Sequence, residues 1–398
     1  MLRLFCSCCL FLVVSIMQAA IYPDPVEGVV TCKGKGLAGV VVTDGFDVVL
    51  TDAQGRYELP RNRDARFVYL STPAGYLPQE GGGHIAFFFP LKKGRLKYDF
   101  ELKRNLKDDM KHVFMVQTDV QVSCQEHLDS YRSYVGKARA FMEKYAKERD
   151  AFVLDCGDIV GNTPNLYLDY IQVSGGLGLP VYRIIGNHDM EIGVRSFEHS
   201  YKTYEDYFGP IYYSFNRGMA HYIILDNCFY INRDYRYIGY IDERTLQWME
   251  KDLALVPKDH LVFVMMHIPS STTKDIKFNA LLPDETSNAN SLYALLKDHE
   301  AHLITGHTHV NGNVVFNDRL MEHNTAAVCA GFWKSMLCSD GTPQGFGLYE
   351  VDGNQVKWYY KAVDYPLEYQ FRLMLRVVRK SFPKKCWPMF GIGMSSGR

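Results

Sequence analysis

Beyond its first twenty residues the chain has no apolar run long enough to cross a bilayer, no Cys-x-x-Cys pair, no internal repeat and no low-complexity segment. No transmembrane helix is therefore expected there. The missing Cys-x-x-Cys spacing argues against a zinc knuckle. The remaining cysteines (Cys32, Cys124, Cys156, Cys228, Cys329, Cys338 and Cys386) are odd in number, so no disulfide framework is implied. Cys329 and Cys338 could bridge in an oxidising compartment, but buried free thiols are the simpler expectation. An excess of one charge is also absent: 44 Lys and Arg stand against 45 Asp and Glu, for a formal net charge of −1. Without a global field, neither nucleic acid nor a membrane surface is expected as a stable partner.

The 398 residues are 47% hydrophobic, enough for two or three domains with cores of their own. Residues 1–20 stand apart. Arg3 precedes an apolar stretch from Leu4 to Met17, and Gln18-Ala19-Ala20 follows. A basic start, a short apolar middle and a small-residue cut site make up a secretory signal. A periplasmic or secreted protein is expected, with a membrane anchor as the alternative. The oligomeric state is not legible.

Val26 to Leu70 reads as short strands separated by Gly34-Lys35-Gly36, Asp44-Gly45 and Asp52-Ala53-Gln54-Gly55, the pattern of a small β-sandwich. Lys103 to Lys111 reads as a charged linker. From His112 apolar strands alternate with helical periodicity, as in Leu128 to Lys147 and Asp242 to Leu255, so an α/β layered domain is expected. After Ala326 the pattern turns β-like, with a hairpin over Phe346 to Lys361. From Phe371 no period can be assigned.

Chemistry concentrates at strand ends, where open parallel sheets carry their sites. Asp119 and Gln121, Asp158, Asn187 and His188, His267, and His307 and His309 each follow an apolar strand or sit in the turn after one. Asp119/Gln121 and His307/His309 are spaced i, i+2, on one face of extended backbone. Glycines at 157, 186 and 306 allow close backbone approach. Carboxylate, amide oxygen and imidazole suit zinc, manganese or iron. These ligands are too many for one tetrahedral ion. Two ions sharing a carboxylate would account for them, at the ~3.5–4 Å spacing used for in-line displacement at phosphorus. Taken singly, each residue is explained as well by packing, capping or turn formation; taken together they are not.

The order Asp119-x-Gln121, Gly157-Asp158, Gly186-Asn187-His188-Asp189, His267 and Gly306-His307-Thr308-His309 resembles the calcineurin-like metallophosphoesterase superfamily over roughly Lys111 to Leu320. Gly-Leu-Ala-Gly-Val-Val-Val and Thr-Asp-Ala-Gln-Gly-Arg-Tyr-Glu-Leu in front resemble the carboxypeptidase-regulatory-like sandwich found on many exported proteins, and the sandwich in that place resembles the first part of an exported three-part subfamily. Gly331-Phe332-Trp333 and Asp340-Gly341-Thr342-Pro343 behind resemble its C-terminal domain. The resemblance implies a four-layer α/β/β/α sandwich over 106–322, preceded by a small β-sandwich over 21–105. A short β-rich C-terminal domain over 323–398 would follow, short enough for truncation to be an open question.

It also implies roles. Asp119, Gln121 and His309 would hold a first metal, Asp158 would bridge, and Asn187, His267 and His307 would hold a second. His188 would serve the leaving oxygen, oriented by Asp189. The implied activity is hydrolysis of a phosphomonoester or phosphodiester by a dimetal-bound hydroxide, on a small-molecule, glycan or lipid phosphate ester. The alternatives are a non-catalytic binder of a phosphorylated glycan or lipid, or an impaired copy of the enzyme. Gln121 stands where the commoner pattern has His. A weaker, harder donor there implies a looser first metal, or manganese or iron rather than zinc. Specificity is expected in the loops Asn162 to Gly178 and Thr272 to Asn290. Arg233, Tyr235, Arg236 and Tyr237 are candidates to grip a substrate.

Overall fold

A computed structural model describes residues 24–81, 84–271 and 283–371. The expected signal, the segment from Arg372 onward and part of the 272–290 loop lie outside the described residues.

The parallel strands Lys111–Gln117, Asp150–Asp155 and Val181–Arg183 form the heart of one sheet. They read as near-continuous apolar runs because both faces are covered. The antiparallel hairpin Gly345–Asp352/Gln355–Ala362 completes this sheet by pairing with Lys111–Gln117. The strands expected of a C-terminal domain therefore extend a sheet of the central layers.

The second sheet runs in the order Tyr213–Arg217, Ala220–Ile224, Leu261–Met265, Glu300–Thr305, Leu320–Asn324 and Gly312–Asn317, parallel through its middle four strands. Aromatic rings interlock where the sheets meet. Phe114 stacks on Tyr349 at 4.5 Å and meets Phe263 and Tyr222 edge-on at 5.1 and 5.4 Å. Offset and edge-to-face pairs of this kind add to the area they bury.

Helices cover the outer faces. Gln125–Tyr145 turns Leu128, Tyr131, Tyr134, Val135, Ala138 and Met142 inward at helical spacing, and Tyr131 stacks on Tyr170 of the helix Tyr167–Ser174. On the other side lie Glu243–Leu253, with Trp248 and Met249 buried, and Ala289–Leu296. The result is the expected α/β/β/α sandwich. None of the described helices is long and apolar enough to cross a membrane.

In front of it, strands between Val26 and Arg104 form two small sheets around Val26, Val30, Val42, Leu59, Leu70 and Phe100. This unit docks on the edge of the second sheet. Asn216 N–H donates to Thr72 O (2.8 Å), Ser214 Oγ donates to Ser71 Oγ (2.8 Å), Phe87 packs on Tyr213, and Arg66 pairs with Glu205 and Asp206.

Candidate metal centre

The carboxyl ends of five parallel strands, three from one sheet and two from the other, open at the same end of the sandwich. Each releases its chain into a tight turn that carries candidate ligands. The turns are strained. Asp119 (φ 53°), Gln121 (44°), Asp158 (52°), His307 (69°) and His309 (55°) all adopt the left-handed conformation. Such residues cost about 1–3 kcal/mol each and gather where function fixes side-chain direction. The glycines make room. A Cβ on Gly186 would run into Asp158, and one on Gly306 into Thr118 and Asp119.

The side chains converge. His267 Nε2 lies 3.3 Å from Asp158 Oδ1, 3.1 Å from Asn187 Oδ1 and 4.0 Å from Asp119 Oδ1. Asp158, His267 and His307 each offer a ligand atom, and these atoms all lie within 4.8 Å of one another. His309 Nε2 is 3.2 Å from Asp119 Oδ1. Asp119 Oδ2 accepts from Thr118 Oγ1 (2.7 Å) and the His307 N–H (2.9 Å), whereas Oδ1 is buried without a hydrogen-bond partner. A buried carboxylate oxygen left between two imidazoles is costly unless something positive completes it. The donor set therefore fits divalent cations.

The electrostatics point the same way. Burial pushes the Asp158 carboxyl up, but the imidazoles of His267, His188 and His307 outweigh it and hold the group well below the carboxylate range. Asp119 is likewise held low by His309 and His267 against its burial. Burial alone would lower His267, yet Asp158 and Asp119 raise it to about 10. Its Nδ1 is engaged by Cys156 O at 2.8 Å, which reserves Nε2 for a metal. In the metal-free protein near pH 7 that ring carries an extra proton, which a cation must displace. Metal binding should then release at least about one proton. Apparent affinity should rise with pH up to about 10 and level off above it. Calorimetry in buffers of different protonation enthalpy measures the release; none at pH 7 would contradict it.

Two expected roles change. Asp189 does not orient His188. Asn187–Asp189 is one turn of 3-10 helix, and at its end the Asp189 carboxylate folds back onto the backbone. It accepts from Gly186 N–H (2.9 Å), Ile159 N–H (3.1 Å) and Val160 N–H (3.2 Å). Burial and the nearby Asp158 raise it to about 7. It braces the turns that carry Asp158 and Asn187. The partner of His188 is Asn162, whose amide meets Nδ1 at 2.8 Å and whose N–H donates to His188 O at 3.2 Å. Sequence reasoning missed Asn162; its place four residues after Asp158, in a turn that favours Asn at φ 64°, was the available signal. Asn162→Ala should lower kcat about 10–100-fold with metal content unchanged. Steady-state kinetics beside metal analysis checks this, and an unchanged kcat would remove the role.

Gln121 reaches the site but turns its NH2 inward. Nε2 donates to Asp158 Oδ2 (2.9 Å), and Oε1 faces the Cys329 thiol at 3.8 Å. Ligation by its oxygen requires the amide to rotate.

The ligands open onto a cavity of about 390 Å³. Tyr237 lines it and meets His307 edge-on at 6.2 Å, whereas Arg233, Tyr235 and Arg236 are not among the lining residues. The remaining wall comes from Ala330 to Ser339, and no described residue of 162–178 or of the N-terminal unit contributes to it. The 330–339 segment thus shapes one side of the cleft, and from the second of the expected loops Asp284 reaches His307, its Oδ1 3.4 Å from Nε2. Cys329 and Cys338 are free thiols. Asp155, buried and raised to about 6 by its burial, bonds Gln117 and Tyr170, and Cys156 lies in the core.

The family described as calcineurin-like phosphoesterase matches residues 112–311. The N terminal of calcineurin-like phosphoesterase matches residues 24–105, and the C terminal of calcineurin-like phosphoesterase residues 322–385. Among solved structures, the chain is similar to a dimetal phosphatase from Danio rerio at 14% identity, over 63% of this chain and 96% of that one, with a TM-score of 0.47. It is also similar to the purple acid phosphatase PPD1 of yellow lupin, Lupinus luteus (12%, 64% and 52%, TM-score 0.47). A 5'-nucleotidase from Candida albicans is a third (14%, 65% and 53%, TM-score 0.38). No curated protein matches the chain.

Proposed function

The chain belongs to the calcineurin-like phosphoesterase family, in the form flanked by that family's own N- and C-terminal domains, and is a metal-dependent phosphoesterase; from that premise we propose that it hydrolyses a phosphomonoester or phosphodiester by direct displacement at phosphorus, with no covalent enzyme intermediate. The observation that carries this reading is the convergence of Asp158, His267 and His307 within 4.8 Å of one another, with Asn187 Oδ1 on His267 Nε2 and the buried Asp119 Oδ1 facing His267 and His309. When bound, a pair of divalent ions would neutralise the phosphate and lower the pKa of the attacking water.

The protein's own residues do the rest. Asp119 and His309 would hold one cation, joined by Gln121 once its amide turns. Asn187, His267 and His307 would hold the other, and Asp158 lies between the two groups. Tight glycine turns keep these donors from relaxing away when a substrate arrives.

His188 differs from them. It is partly exposed, with Nε2 3.9 Å from Asp158 Oδ2 at the cavity wall. Asn162 holds its Nδ1, so Nε2 is the nitrogen available to protonate the leaving oxygen. A protein that only gripped phosphate would have no need of a proton donor held in this way.

The test is turnover of fluorogenic phosphate monoesters and diesters by the full chain with added manganese. Metal-dependent hydrolysis supports the proposal. Tight phosphate binding without turnover would replace it with a binding role, and an insoluble product would favour an impaired copy.

A further inference from the structure

We propose that the substrate is a compact phosphate ester whose leaving group carries a planar aromatic ring, seated against Phe332. This rests on the phosphoesterase reading above and names the class of ester.

The argument begins with the backbone. Ala330 (φ 47°), Phe332 (56°) and Trp333 (62°) are all left-handed, a conformation that bulky side chains rarely adopt. The arch is held from several sides. The Trp333 indole N–H donates to Val120 O (2.9 Å), in the same turn as Asp119 and Gln121, and the Trp333 backbone N–H donates to Cys329 O (2.7 Å). Further along, Asn311 N–H donates to Asp340 Oδ2 (2.9 Å), tying the segment to the His307–His309 loop.

What this strained arch presents is an apolar ring. Phe332 lines the cavity, lies 4.7 Å from the His309 imidazole between centroids, and is 59% exposed. Folding gains little from a phenyl ring kept out of the core, and the backbone beneath it is unfavourable as well. Such strain persists only where the surroundings enforce it, and it clusters at ligand clamps. Leu337, 38% exposed, continues the apolar wall. Across the cavity stands Tyr237, beside His307. Each histidine of Gly306-His307-Thr308-His309 thus has an aromatic ring at its rim.

Charge and size narrow the class. Among the described lining residues no Lys or Arg offers a partner to a second anionic group on the leaving side. The cavity of about 390 Å³ sits at the small end of the usual range of about 300–1,000 Å³ for small-molecule sites. A rigid ring binds a flat partner by offset stacking at little entropic cost, whereas a flexible acyl chain would be better served by an aliphatic groove.

The test uses the manganese-loaded full chain and three non-hydrolysable phosphonates: benzyl, hexyl and ethyl. Calorimetry should give benzylphosphonate a Kd about tenfold below that of ethylphosphonate, with hexylphosphonate weaker than benzyl. Phe332→Gly removes the ring and suits the left-handed backbone, so it is expected to fold; it should bring the benzyl-to-ethyl ratio to within about threefold. Phe332→Trp should preserve the preference. Equal benzyl and ethyl affinities, hexyl binding as tight as benzyl, or an unchanged ratio in Phe332→Gly would overturn the inference. Metal-dependent turnover without benzyl preference would sink this inference alone. Benzyl preference without turnover of any ester would sink the hydrolytic reading and leave the ring site standing.

Discussion

Asp158→Asn is expected to lower metal-dependent turnover by about three decades or more, as the loss of several kcal/mol of charge stabilisation implies, in a protein that still folds. The effect is large because this carboxylate touches most of the centre at once. It accepts from His188 N–H and from Gln121 Nε2, faces His267 at 3.3 Å, and sits 3.9 Å from His188 Nε2. The imidazoles around it keep it ionised despite complete burial. Asn retains the size and one oxygen but loses the charge with which, in the proposed centre, the carboxylate would be shared between two cations. It also tolerates the left-handed backbone at φ 52° at least as well as Asp. Ala would add backbone strain and blur the comparison. Kinetics over a manganese titration, with a melting curve for each protein, reads the effect. A variant that keeps its melting temperature and more than about a tenth of its activity would show that Asp158 is not the shared ligand.

Much of this centre was legible because strand ends are. The runs before Asp119, Asp158, Asn187, His267 and His307 are apolar and short, and parallel strands must all end on the same side of their sheet, so their polar exits fall together. What a residue does after the exit is set by turn geometry that the sequence does not spell out. His188 and Asp189 are neighbours in the chain, yet a 3-10 turn sends successive side chains about 120° apart. The Asp189 carboxylate was drawn to the Gly186 N–H at the start of that turn and to the Ile159 and Val160 N–H groups of the neighbouring one, and the side chain of Asn162 met the ring instead. The arch at 330–333 was hidden for a related reason. Glycine and asparagine advertise left-handed backbone; alanine, phenylalanine and tryptophan do not, so the wall of the cleft could not be read from its own residues. The hairpin Gly345–Asp352/Gln355–Ala362 was visible as a hairpin, but its pairing with Lys111–Gln117, more than two hundred residues earlier, depends on long-range packing.

The second large effect is expected at His188, and it should depend on the ester used. His188→Gln should reduce kcat on alkyl phosphate esters by about 10²–10⁴-fold, the usual range for a lost proton donor. On a nitrophenyl ester, whose leaving group departs without a proton, the loss should stay near tenfold or less. The backbone of residue 188 is held on both sides: its N–H donates to Asp158 Oδ1 at 2.8 Å, and its carbonyl accepts from Asn162 N–H at 3.2 Å. Gln keeps both bonds, and metal content should not change because the ring is not among the proposed ligands. The dependence on leaving group therefore separates proton donation from charge stabilisation. If both esters slow by the same factor while the metals remain bound, His188 stabilises charge at phosphorus, and the proton reaches the leaving oxygen from water instead.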